Sequence, residues 1–225
     1  MEKKNDDRRR ILMKSLEAAF GLFCFGFGVY LTIRANIGVA PWDAFTIGLS
    51  NQLGVLYGTA SIGISFLLII IDYLLKEHIG IGTILDAIVV GKTVDLFQWL
   101  DIIPLQQSLW SGILIMLLGH FVMGYSMYFY MKAGLCCGPR DSLMIALGRR
   151  FNKIPIGLVN AMILVVVLFA GWRLGGPIGI GTVLGAFDVA FMMQLAFYFA
   201  KFEPKDVEHQ SIVESAKVLF QKQNK

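Results

Sequence analysis

The sequence predicts an all-α membrane protein: six transmembrane helices arranged as two inverted three-helix repeats, each with an additional short helix. Three observations lead there. The 225 residues are 56% hydrophobic and only 16% charged, with a mean hydropathy of +0.65, whereas a soluble domain carries about a quarter charged residues. Apolar runs close to the roughly 20 residues that a helix needs to cross a bilayer recur along the chain. The chain also resembles itself in two blocks, 98 and 99 residues apart.

The elements follow in order. A basic lead, MEKKNDDRRR, runs into an apolar stretch over 12–33. That stretch exceeds a signal-peptide core and no Ala-x-Ala site closes it, so an uncleaved first helix is expected. Further spans are expected at 58–75, 81–100, 108–131, 155–173 and 179–200, the third interrupted by Asp86, Lys92 and Asp95. PWDAFTIGLSNQLGVLY separates the first two spans, and PRDSLMIALGRRFNKI separates the fourth and fifth. Each is too short to cross, yet each opens on a proline, Pro41 or Pro139. Proline suits a first helical turn because its missing N–H would be unpaired there anyway. Two short helices dipping into or lying against the membrane are expected. From Glu203 the chain turns polar, and the spacing of Ile212, Val213, Ala216, Val218 and Leu219 predicts an amphipathic surface helix. The resulting organisation is a basic N-terminus (1–11), membrane repeat 1 (12–104), membrane repeat 2 (105–202) and a polar tail (203–225).

The repeat rests on residues that apolar composition does not produce by chance. At the 98-residue offset, Gly21, Phe23, Gly26, Tyr30, Ala35, Pro41, Asp43, Ile47 and Leu49 recur as Gly119, Phe121, Gly124, Tyr128, Ala133, Pro139, Asp141, Ile145 and Leu147. At 99, GIGTILDA (80–87) meets GIGTVLGA (179–186). Three spans per half would turn the second half upside down. The basic residues agree: with a cytoplasmic N-terminus, 17 of the 20 Lys and Arg fall inside, leaving Arg34 and Arg173 outside and Lys92 within a span. Both termini are then cytoplasmic.

The paired Pro-x-Asp segments, the two glycine-rich GIGT blocks and the duplicated six-span layout resemble the bacterial YczE/YyaS/YitT family of membrane proteins, the YczE branch above all. The resemblance covers roughly residues 15–200. It implies a location in the bacterial cytoplasmic membrane. It implies little biochemistry, because the family's substrates are largely unestablished and some members are tied only loosely to secondary-metabolite production. No catalytic residue is carried over.

An ionised carboxylate within a bilayer costs several kcal/mol unless it faces protein, water or a counter-ion, so the aspartates define the candidate site. Asp43 and Asp141 begin the two short helices. Either they oppose the positive end of the helix dipole, a contact of about 0.3–1 kcal/mol, or they face a polar centre between the halves. Short helices at matching positions point to a transporter's binding site. Trp42 and Arg140 occupy equivalent slots beside them, and Arg140 has three readings: a pair with Asp141, a topology charge, or a ligand contact. Gly80, Gly82, Gly179 and Gly181 permit tight turns and close approach. Thr83 and Thr182 cap the helices that follow or join Asp43, Asp141, Trp42 and Arg140 in binding solute. Asp86, Asp95 and Asp188 are candidates for coupling to an ion. Asp95 could instead pair with Lys92, and Asp72 is expected to form a solvated pair with Lys76 at i,i+4. His120 is either a hydrogen-bonded packing residue or a proton-relay group.

Other classes find little support. The positive charges sit at the ends of apolar runs and form no nucleic-acid motif. Cys24, Cys136 and Cys137 lack metal-binding or CxxC spacing and read as small packing residues. No HExxH, GxSxG or P-loop pattern is present, so neither an enzyme nor a cofactor or metal is expected. A small-solute secondary transporter is the leading expectation. A non-transporting membrane factor serving a partner protein or biosynthetic system, and a passive pore, are the alternatives. The expected partners are lipid, an unknown small solute, and either a second copy or another membrane protein.

Overall fold

Turn residues cut the apolar chain into helices at the places their chemistry dictates. The computed structural model describes residues 2–77, 79–135, 137–151 and 153–202. Among the described residues there are eight helices and no strand: α1 (Glu2–Arg34), α2 (Pro41–Leu53), α3 (Tyr57–Leu74), α4 (Ile81–Leu100), α5 (Leu109–Ala133), α6 (Pro139–Arg150), α7 (Ile156–Arg173) and α8 (Ile180–Ala200). The short helices α2 and α6 start on their prolines. Gly54 ends α2 and Gly134 ends α5, both in the left-handed conformation (φ 65° and 66°) that glycine adopts without a steric penalty. The amphipathic tail expected beyond Glu203, together with His78, Cys136 and His209, lies outside the described residues. Cys24 and Cys137 are free thiols.

Four helical stretches are long and apolar enough to cross a membrane: Ile11–Arg34 of α1, then α3, α5 and α7. A fifth arises if Ile180–Ala186 and Phe191–Ala200 of α8, bent by 40°, form one span. The third expected span, α4, is not among them: this 20-residue helix carries Asp86, Lys92 and Asp95, more charge than a lipid-facing helix of that length tolerates. It is instead sheltered: α1, α3 and α6 pack on it.

Glycines set the packing. On α1, Gly21 lies against Ser126 and Tyr130 of α5; on α5, Gly119 lies against Gly28, Leu31 and Thr32 of α1. Early α1 thus meets late α5, and the two helices pass in opposite directions. Gly26 sits on Val90 and Thr93 of α4, while Gly124 sits on Met192 and Met193 of α8. The short helices cross over between halves, α2 packing on α7 and α6 on α3. Two backbone hydrogen bonds tie the turns together: Gly181 N–H donates to the Ile37 carbonyl (2.7 Å) and Gly82 N–H to the Leu135 carbonyl (2.9 Å). Ile37 and Leu135 are 98-offset partners, and Gly82 and Gly181 are 99-offset partners.

Candidate functional site

The starts of α2 and α6 meet. Asp43, 3% exposed, accepts a hydrogen bond from the Tyr57 hydroxyl (2.8 Å) and a longer one from Arg140 Nη1 (3.5 Å). The Arg140 guanidinium also lies over the Trp42 ring, 5.3 Å from its centroid, a geometry that attracts a cation to the π face. Arg140 contacts the carboxylate of Asp43, and it also lies near enough to Asp141 to interact with it electrostatically. It is a part-buried member of the cluster.

Asp86 and Asp141 complete the group. The Asp86 carboxylate abuts Gly138, where an added Cβ would lie 2.8 Å from Oδ2, so a larger residue before Pro139 would displace that carboxylate. Asp86 is close enough to Arg140 and Asp141 to interact electrostatically with both. Fully ionised, Asp43, Asp86 and Asp141 surround a single guanidinium with three negative charges. Tyr57 was not legible as a member of this site. It stands one turn after α2 as the first residue of α3, and only the αL turn at Gly54 swings it back onto Asp43.

The remaining candidates sit elsewhere. Thr83 and Thr182 are buried at 0% and 4% exposure, and their hydroxyls accept from the Gly80 and Gly179 N–H groups (3.2 Å each). Thr83 also donates to the Cys137 carbonyl (2.8 Å). Both hydroxyls are thus engaged in holding helix starts. Asp188 pairs with the buried His120 (Oδ2 to Nδ1, 2.8 Å) between α8 and α5, away from the helix starts. Asp95 does not pair with Lys92, which is exposed. Its Oδ1 accepts from Gly58 N–H (2.6 Å) at the start of α3, satisfying one of the four N–H groups that a helix leaves unpaired there. The Asp72–Lys76 pair does not form either. The helix stops at Leu74 and Lys76 turns to φ 61°, so i,i+4 geometry never reaches it, and Asp72 is buried at 1% exposure instead.

A model of a family of unknown function (DUF6198) matches residues 12–197. The chain is 35% identical over 178 residues to a Bacillus subtilis protein named uncharacterized membrane protein YczE, covering 78% of this chain and 81% of that one. It is 30% identical to an uncharacterized protein of Haemophilus influenzae (78% and 79% covered) and 29% identical to uncharacterized protein YyaS of B. subtilis (76% and 86%). No solved structure matches the chain.

Proposed function

The chain belongs to the DUF6198 family of YczE-like membrane proteins, and from that premise we propose that it is a small-solute secondary transporter of the bacterial cytoplasmic membrane. Its solute site is the meeting point of α2 and α6, and alternating access arises from two inverted repeats. The observation that carries this reading is the Asp43–Arg140 contact. It joins the first turns of two short helices from different halves, where transporters place their sites. The opposed passage of α1 and α5, which occupy equivalent sequence positions, supports the inversion. The distribution of Lys and Arg supports cytoplasmic termini. With three carboxylates, one guanidinium, an indole and a phenol, the site suits a small organic solute that carries a positive group. Protonation of Asp86 would lower the cost of emptying it.

Thermal stabilisation of the purified protein by a panel of small cationic and zwitterionic solutes, followed by flux in proteoliposomes, tests the reading. A ligand raises stability by mass action. It should do so for the wild type and for neither Asp43→Asn nor Arg140→Gln, and flux should vanish in both. Folded variants with undiminished binding and flux would refute the site. A second reading, an accessory factor for another membrane protein, draws on α7. That helix buries only Val159 and Gly171 and leaves Val165, Val166, Phe169 and Trp172 exposed. Co-purification that fails on substitution of this face would favour it.

A further inference from the structure

Among the described residues, Asp72 is the one carboxylate whose two oxygens are both buried and without a hydrogen-bond partner. It lies near the end of α3, on the helix that packs against α6. Among the described residues no cation pairs with it: Lys76, past the end of the helix at φ 61°, is exposed, and Arg149 of α6 is engaged with Glu77 (3.2 Å). Its electrostatic neighbours are Glu77, at the same end of α3, and Cys137, just before α6. The other charged groups on the packed helices are occupied or remote. On α6, Arg140 is on Asp43, Asp141 interacts with Asp86, and Arg150 is exposed. On α4, Asp86 abuts Gly138, Lys92 is exposed and Asp95 holds Gly58. On α2, Asp43 is held by Tyr57 at the far end of α3.

An ionised carboxylate without partner or counter-charge carries a desolvation penalty of several kcal/mol. Among the described residues no group of three or more His, Cys, Asp or Glu side chains is placed to hold a metal ion. A proton, which needs only one oxygen, is the cation the geometry accommodates. Buried Tyr57, Ser61, Ser65 and Asp72 share one face of α3. At 1.5 Å per residue this polar stripe runs about 22 Å, from the Asp43 cluster to Asp72.

We propose that Asp72 is a proton-binding site in the α3–α6 seam, loaded from the face where the Glu77–Arg149 pair closes that seam. In binding, one O–H bond forms on a carboxylate oxygen as one breaks in hydronium, and the side chain becomes neutral. The neutral acid fits the closed seam. The anion must be hydrated, and hydration parts α6 from α3. This rests on the transporter reading only for its purpose, as the coupling step; the proton site stands or falls by itself.

The test is infrared difference spectroscopy of the full chain in liposomes, paired with hydrogen–deuterium exchange at acid and alkaline pH. A protonated-carboxyl carbonyl band should appear in the wild type and be lost in Asp72→Asn. Exchange in 139–150 should match between the two proteins at acid pH and run several-fold faster in the wild type at alkaline pH. An unchanged band in Asp72→Asn, or equal exchange at both pH values, would overturn the proposal. So would failure of Asp72→Asn to fold, because a neutral isostere must stand where a neutral acid does. Should the band behave as expected while no solute is ever bound, the proton site remains and the transporter reading fails.

Discussion

The two seams where a short helix lies against a long one can be compared position by position. In the α2–α7 seam, glycines bring backbone onto backbone. Gly171 rests on Ala44 and Phe45, Gly48 on the Leu174 side chain and the Gly171 carbonyl, and Gly176 on the Ala44 carbonyl. In the α3–α6 seam, the residues 99 positions earlier than Gly171 and Gly176 are Asp72 and Glu77. One seam is sealed by the absence of side chains. The other contains a buried, unpaired carboxylate and is spanned by an ion pair whose arginine is 67% exposed. Backbone contact is sensitive to volume and indifferent to pH; charge is the reverse. The two places where a short helix interlocks with a long one are therefore unequal, and the proposed proton site lies in the α3–α6 seam.

Substitutions can sharpen or abolish this inequality. The largest effect is expected at Gly176, where a Cβ would overlap the Ala44 carbonyl. Gly176→Leu should cost more than the about 1–3 kcal/mol of ordinary overpacking, read as lost thermal stability in detergent, while Asp72→Asn leaves melting nearly unchanged. If Gly176→Leu is tolerated, the sealed-seam reading is wrong. Next comes Arg140→Gln, which leaves the buried Asp43 without its counter-charge. A loss of about 3 kcal/mol is expected, at the low end for a broken buried pair because Tyr57 still donates. The double variant with Asp43→Asn should recover part of it.

A third comparison asks whether the halves can be made alike. His120 and Asp188 correspond to Leu22 and Val89, which pack together in an apolar cluster with Ala18, Leu85 and Val90. Asp188→Val alone should destabilise by about 1–3 kcal/mol, since His120 is 1% exposed and loses the carboxylate that its ring bonds. His120→Leu with Asp188→Val together should approach neutrality or better. Equal losses for the single and double variants would show that the pair does not act as a unit. The smallest effect is expected from Glu77→Gln, below about 1 kcal/mol on melting because Arg149 is mostly exposed.

Helix positions were largely legible because each boundary carries its own local cause. Pro41 and Pro139 open helices wherever the chain places them, and Gly54 and Gly134 close them. Partners were not, because they depend on crossings that no local pattern encodes. Asp43 and Asp141 stood out as repeated polar residues, yet nothing in sequence tells that Arg140 reaches across to Asp43 rather than to its neighbour. Asp72 and Lys76 have ideal helical spacing, and the pair fails only because the helix ends between them. Asp95 likewise exchanged its sequence neighbour Lys92 for a backbone amide 37 residues away. The threonines of the GIGT blocks could be read as caps or as ligand groups, and only the bonds to Gly80 and Gly179 show their hydroxyls engaged.

The reciprocal amide–carbonyl bonds, Gly82 to Leu135 and Gly181 to Ile37, bear on the birth of the molecule. When residues 1–104 have left the ribosome, the Ile37 carbonyl and the Gly82 amide have no mates, because Gly181 and Leu135 are still to be made. Each waits for a segment not yet translated: residue 135 must arrive before the first glycine turn can settle, and residue 181 before the turn ahead of α2 can. Membrane insertion can proceed helix by helix, but maturation of either half has to await the last span.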